Sequence, residues 1–298
     1  MGEKAGAVAV SLIKRVANAV LGAQRKPVEE IDVAVPRSFE EQIYAAVVAE
    51  GDICYDVGAN FGEVAVFLAR LAGRAGLVIA FEPVMSVFCQ LCTWTQLVSG
   101  PRAPVITLPF GLAESEKLAT IQVPAGKFAM GSLAPPEDWS RTIGATEVAS
   151  YPCRFSTLDL LIRDAGIGKP DFIKIDVEGA ELLVLRGAAG MFQDGHRPLL
   201  LIELFAPWER AFGYGPWDVL SLLAAHGYAF LFACPQGLIE HQPTQAQPFP
   251  PEYEAGYNVV AFCPVIHAAR IAAIAGLRRG GTTARLPMSP ATAPNVIG

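Results

Sequence analysis

Short apolar runs alternate along this chain with stretches whose apolar positions recur every three or four residues. The runs "ICYDVG", "LVIAFEP", "PVITLPFG", "DFIKIDVEG", "RPLLLIEL", "YAFLFA" and "YNVVAFCP" read as strands. Between them, "GEVAVFLARLA", "SVFCQLCTWTQLV", "TLDLLIRDAG", "AELLVLRGAAGMF" and "PWDVLSLLAAHG" read as helices. Strands and helices in alternation predict an α/β fold, a parallel sheet with crossover helices on both faces. The last two strands follow each other without a helix, so they predict an antiparallel pair at one sheet edge. Their connection, "PQGLIEHQPTQAQPFPPEY", is polar and proline-rich and reads as a loop. "KLATIQVP" and the residues up to Leu133 read as a hairpin excursion, and "FAMGSL" within it as a lid.

The ends of the chain read differently. Val8, Leu12, Val16 and Val20 recur at spacing four and predict an amphipathic helix within residues 1–30. Lys14 and Arg15 interrupt its apolar part, which argues against a signal peptide. Such a helix suits docking on the domain or on a partner, or weak contact with a membrane surface. Residues 31–264 form the expected domain. Residues 265–298 hold a C-terminal helix and a tail, and from Arg278 the absence of period and the many breakers predict disorder.

Composition narrows the class. The chain has 298 residues, 52% hydrophobic and 17% charged, which is ample for a large buried core. A net charge of -6 gives no electrostatic reason to expect nucleic acid. No apolar run reaches the roughly 18 residues that span a bilayer. Six cysteines sit mostly in apolar runs. Cys89 and Cys92 form a lone C-x-x-C without a second pair, so no zinc site is expected, and reduced thiols fit a cytoplasmic chain.

The candidate chemistry clusters where strands end. The turn after the first strand is Asp56-Val57-Gly58-Ala59-Asn60-Phe61-Gly62. Ligands of open α/β sheets bind at such carboxyl ends, and glycines permit close backbone approach. Asn60 is a candidate cap for the next helix. The turn lacks the third glycine of G-x-G-x-x-G, and no Lys or Arg lies between Ile53 and Leu68. Glu63 sits in the first helical turn, where a carboxylate competes with phosphate. The turn therefore suits a ligand without phosphate and with positive charge, for which S-adenosylmethionine is a good match. Glu82 ends the second strand, where an acid can accept hydrogen bonds from ribose hydroxyls. Asp176 and Glu178 end the strand "FIKID", two apart and so on one side. They are candidates for a general base or for contact with a cationic cofactor.

"DVGANFG", "AFEP", "STLDLL", "FIKIDVEGAELLVLRGA" and "RPLLLIEL" occur in order. Together they resemble the FkbM family of S-adenosylmethionine-dependent methyltransferases, from about Asp52 to Glu203. The resemblance implies a class I methyltransferase fold: a Rossmann-like three-layer sandwich around a seven-stranded, mostly parallel sheet with one antiparallel strand near its edge. It also implies O-methylation of a sugar, polysaccharide or natural-product hydroxyl. Under it, Asp56, Gly58, Asn60, Gly62 and Glu82 hold the cofactor, and Asp176, Glu178 and Glu203 form the pocket floor. Where the family often shows a polar N-A-L-S-D segment, this chain reads Phe110-Gly111-Leu112-Ala113-Glu114. Leu112 remains the candidate to pack on the adenine. Glu178 is the first candidate base and Asp176 the second; His196 is a third. A divalent ion on Asp176 and Glu203 is an alternative way to acidify the hydroxyl. Trp208, Tyr214 and Trp217 are candidate acceptor contacts. An NAD-type oxidoreductase and a non-catalytic binding module stay open as alternatives.

Overall fold

The computed structural model describes residues 36, 38–136, 147–234, 237–250 and 257–277. The expected N-terminal amphipathic helix and C-terminal tail lie outside the described residues. Strands are β1 Ile53–Val57, β2 Leu77–Phe81, β3 Val105–Leu108, β4 Gly111–Leu112, β5 Lys117–Pro124, β6 Val148–Ser156, β7 Phe172–Ile175, β8 Leu199–Leu204, β9 Ala229–Cys234, β10 Gly237–Glu240 and β11 Tyr257–Phe262. Helices are α1 Phe39–Val47, α2 Glu63–Ala72, α3 Met85–Leu97, α4 Leu158–Asp164, α5 Glu181–Arg186, α6 Ala189–Gln193, α7 Ala206–Ala211, α8 Pro216–Ala225 and α9 Ala268–Ala273.

Among the described residues, eight strands form the main sheet in the order β10-β9-β11-β8-β7-β1-β2-β3. The strands β3, β2, β1, β7 and β8 pair in parallel. β11 enters between β8 and β9, antiparallel to both. The order is that of a class I methyltransferase, with one strand more than the seven expected. The extra strand is β10, antiparallel to β9 at the edge. Leu238 and Ile239 form it inside a stretch that reads as a polar loop.

Period-two burial sends alternate side chains of the sheet to two cores. Tyr55, Val57, Ile173 and Ile175 pack with α4, α5, α6 and α8. Cys54, Phe172, Leu199 and Leu201 pack with α1, α2 and α9. Asp56 and Lys174 belong to this second face by strand alternation, and they are register partners. α1 lies inside the expected domain of residues 31–264 but was not read as a helix. It starts at Ser38, whose Oγ accepts the Glu41 amide at 3.0 Å. It is held from the far end of the chain. Arg270 on α9 donates to the Val47 carbonyl at 3.0 Å and grips Asp52 at 2.5 and 2.7 Å.

Two further departures have physical causes. "AELLVLRGAAGMF" forms two short helices, not one. A side chain at Gly187 would meet the Ala113 carbonyl at 2.1 Å. Asp159 also accepts the amides of Gly190 at 2.6 Å and Met191 at 2.8 Å, which starts α6 afresh. The excursion is a separate sheet, β4-β6-β5, in which β6 runs antiparallel to β5. Pro152 obscured β6. It is tolerated because β4 pairs only with Phe155 and Ser156, leaving Pro152 a single neighbour. No helix among the described residues is long and apolar enough to cross a membrane.

Candidate functional site

A cleft of about 340 Å³ opens at the carboxyl ends of β1, β2 and β7, roofed by the excursion. Gly58, Asn60, Gly62, Glu82, Leu112, Asp176 and Glu178 all line it. Asp56 is fully buried and does not itself line it.

The β1 turn is built around the protein's own packing. Gly58 and Ala59 donate to the Phe81 carbonyl at 3.1 and 2.9 Å. Gly58 has φ +84, and a Cβ there would sit 1.9 Å from the Asp176 carbonyl oxygen. Gly62, at φ +91, would push a Cβ to 2.5 Å from Leu91. These glycines therefore admit β7 and α3 as well as leaving the cleft open. Gly62, not Asn60, is the N-cap of α2, and it supplies no side-chain bond. Asn60 instead adopts φ +48 and turns its amide toward the second strand. Its Oδ1 is buried without a partner, a polar atom that a ligand could satisfy.

Glu82 is fixed by two amides, Val84 at 2.8 Å and Asn60 at 3.1 Å, one on each oxygen. Each oxygen keeps acceptor capacity for a hydroxyl. Burial pushes its carboxyl up to about 7, against the pull of those amides. Leu112 is buried on the same side of the cleft, near Phe128, Leu133, Ile121 and Phe155. Phe128 meets Phe61 edge-on at 6.3 Å, so the lid residues of "FAMGSL" pack onto the β1 turn. This end offers a hydroxyl acceptor beside an apolar slot.

The other end is acidic. Lys174, itself buried, gives an ammonium 2.8 Å from Asp176 Oδ2. Burial opposes its charge, yet Asp176, Asp56 and Glu40 together raise its proton affinity. Asp56 has no partner at full hydrogen-bond geometry on either oxygen, the Ala65 amide giving it only a weak contact. Burial lifts it to about 6 despite Lys174. Glu178 stands at φ +51, a region a β-carbon disfavours. The turn holds that strain with three arms. Glu181 Oε1 accepts the Val177 and Gly179 amides at 3.3 and 3.1 Å. Tyr214 donates to the Gly179 carbonyl. Ser132 Oγ donates to the Glu178 carbonyl at 2.9 Å. Burial first, then Asp176 and Glu203, push the Glu178 carboxyl well above the usual range. Glu203 is open to water, but Asp176 beside it raises its carboxyl strongly. Among the described residues, no three His, Cys, Asp or Glu side chains group as a metal site.

Other expectations land elsewhere. His196 bonds the Pro170 carbonyl at 2.6 Å, ahead of β7 and at the opposite end from the cleft. Trp208 is buried, and Tyr214 is spent on the turn. Neither they nor Trp217 line the cleft. Sequence reasoning passed over Glu40, Lys174 and Ser132. The pattern Ser38-Phe39-Glu40-Glu41 before apolar Ile43 and Val47 signals a capped helix, and hence Glu40. A lone Lys two before Asp176 in a buried strand is an equally plain signal. Ser132 had none, because its contact is set by tertiary docking.

A family model described as the methyltransferase FkbM domain matches residues 56–230. The chain is 30% identical over 177 residues to the hexuronic acid methyltransferase AglP of Haloferax volcanii, across 59% of this chain and 62% of that protein. It is 27% identical over 232 residues to the AMB antimetabolite synthetase AmbE of Pseudomonas aeruginosa, across 67% of this chain and 11% of that protein. The chain thus spans less than two thirds of the length of either relative. A solved FkbM methyltransferase from Methylobacillus flagellatus shares 19% identity at a TM-score of 0.40, covering 74% of this chain and 48% of that one.

Proposed function

The chain belongs to the FkbM methyltransferase family, and from that premise we propose that it moves a methyl group from S-adenosylmethionine to a hydroxyl oxygen of a sugar, polysaccharide or natural product. The domain that does so spans 31–264. The observation that carries this reading is the cleft's pairing of Glu82, beside an apolar slot, with an uncompensated acidic end. A nucleoside suits the first and a cation the second. The hexuronic acid methyltransferase relative supports a carbohydrate acceptor.

The fit is chemical. Glu82 has free acceptor capacity for two ribose hydroxyls, and Leu112 offers an apolar face for adenine. Asn60 lines the cleft, and its Oδ1 is a buried polar atom in want of a donor. The sulfonium, when bound, supplies an electrophilic methyl carbon. The protein's part is to hold the acceptor oxygen in line and to take its proton. Glu178 is the proton acceptor. Its raised proton affinity makes the ionised carboxylate a stronger base, and a cation in the cleft favours ionisation. Asp176 pairs with Lys174 at the same turn.

Calorimetry with S-adenosylmethionine against NAD tests the donor. Binding of NAD and not of S-adenosylmethionine would sink the reading. Mass spectrometry of a panel of glycosides, scored for the gain of one methyl group, tests the transfer. Donor binding with no transfer to any of them would favour a binding module.

A further inference from the structure

Glu40 lies outside the segment matched by the family model, which begins at residue 56. An acid in the first turn of a helix has an ordinary reason to be there, because it favours the positive end of the helix dipole. Glu41 meets that need as well. Glu40 does something more. It lines the cleft, and its Oε1 accepts the Tyr44 hydroxyl one turn further on. Tyr44 is buried, its ring edge-on to Phe172 at 5.8 Å and tilted on Phe67 at 6.2 Å. The carboxyl is therefore aimed by the core. Arg270, bonded to the Val47 carbonyl and to Asp52, fixes the other end of the helix.

A second observation points to a ligand. Behind the lining, Asp56 is fully buried next to the charges of Lys174 and Glu40, and the Ala65 amide is its one weak backbone partner, short of full hydrogen-bond geometry. Among the described residues, the cleft is lined by the carboxyls of Glu40, Glu63, Glu82, Asp176 and Glu178 and by one ammonium, Lys174. Asp176 already holds that ammonium at 2.8 Å. Buried carboxyls short of positive charge are costly. A cation from outside, carrying several N–H donors, relieves the shortage. A primary ammonium has three such donors, whereas a sulfonium has none.

We propose that Glu40 receives the α-ammonium group of the methyl donor, so that α1 completes the donor site from outside the family-matched segment. The proposal rests on the S-adenosylmethionine reading above and adds a residue to it. Burial, the largest effect on Glu40, raises its carboxyl, and Lys174 opposes this. Arrival of the ammonium favours the ionised form.

Three ligands separate the contributions. S-adenosylmethionine and S-adenosylhomocysteine both carry the ammonium; 5′-methylthioadenosine keeps the nucleoside and lacks the amino-acid end. In Glu40→Gln, calorimetry should show the first two weakened about tenfold or more, and 5′-methylthioadenosine changed by less than about twofold. Gln keeps an acceptor for Tyr44, so the fold should hold, as a thermal melt will show. Tyr44→Phe, which frees the Glu40 side chain, should repeat the selectivity with a smaller loss. Equal weakening of all three ligands would mean that α1 has merely shifted, and the proposal falls. Unchanged affinity for all three overturns it too. If the wild-type protein binds none of the three, the donor reading fails first and this proposal with it.

Discussion

The two ends of the cleft are built by opposite means. At the β1 and β2 tips, backbone amides do the holding. Glu82 is gripped on each oxygen, and Gly58 and Gly62 make room for neighbouring strands and helices. At the β7 tip, side chains do the holding. Glu181, Tyr214 and Ser132 come from three separate parts of the chain to fix one strained turn. The first arrangement is rigid, because the backbone itself does the holding. The second gives a crowded, strained residue whose carboxyl burial and neighbouring acids push up. Rigidity suits recognition, and tension suits chemistry.

Gly58→Ala should break both ends at once, since its Cβ would collide with the Asp176 carbonyl and its φ disfavours a side chain. The expected loss is about 3 kcal/mol or more, read by urea unfolding. A variant as stable as the parent would mean that the strand ends are not coupled here. Glu178→Gln separates the ends. Turnover should fall about 10²–10⁴-fold while donor affinity stays within about threefold. Full activity would remove Glu178 as the base. Glu82→Ala is the reciprocal change. Donor affinity should drop by about 1–3 kcal/mol by calorimetry, and an unaltered affinity would cancel the ribose assignment.

The supports of the acid turn can be read by pH. Burial raises Glu181 to about 8, and it raises Glu209, a buried acid of α7 that accepts the Phe205 amide, to about 7. Both folded values lie above the unfolded one. Their contribution to stability is therefore complete below about 4.5 and is lost as pH rises through the folded values. Each group costs about 1.4 kcal/mol per pH unit over its window. Melting temperature should fall from about pH 4.5 to about pH 8, and Glu181→Gln should flatten that fall. A slope the same in both proteins would refute the role of Glu181. The smallest effect is expected of Ser132→Ala. It should leave donor affinity intact and raise the acceptor KM, at a cost of about 0.5–1.5 kcal/mol. Matching kinetics would show that the excursion does not steady the turn.

The strands were legible because they are continuous apolar runs that leave little choice of state. β1 and β8 match "ICYDV" and "LLLIEL" closely. The order of the sheet followed from the motifs, not from periodicity. What escaped was anything decided across distance. β10 hid because two apolar residues in a polar stretch carry no period. The break between α5 and α6 depends on Asp159, which no local pattern foretells. The acids at the strand tips were readable from their positions. That Asn60 would leave helix capping to Gly62 was not, because the choice lies in the backbone angles of the turn.

The placement of β11 has a consequence for the nascent chain. The parallel half of the sheet, from β3 to β8, is synthesised first, and β9 and β10 follow. Those two cannot reach β8, because the space beside it belongs to Tyr257–Phe262. Until that segment leaves the ribosome, β8 presents an open edge and β9 has only β10 beside it. Asp52 waits longer still for Arg270, its partner 218 residues on. A late strand and a late arginine thus act as a lock on work already done. A chain cut short before them exposes the kind of bare sheet edge that invites pairing with another molecule.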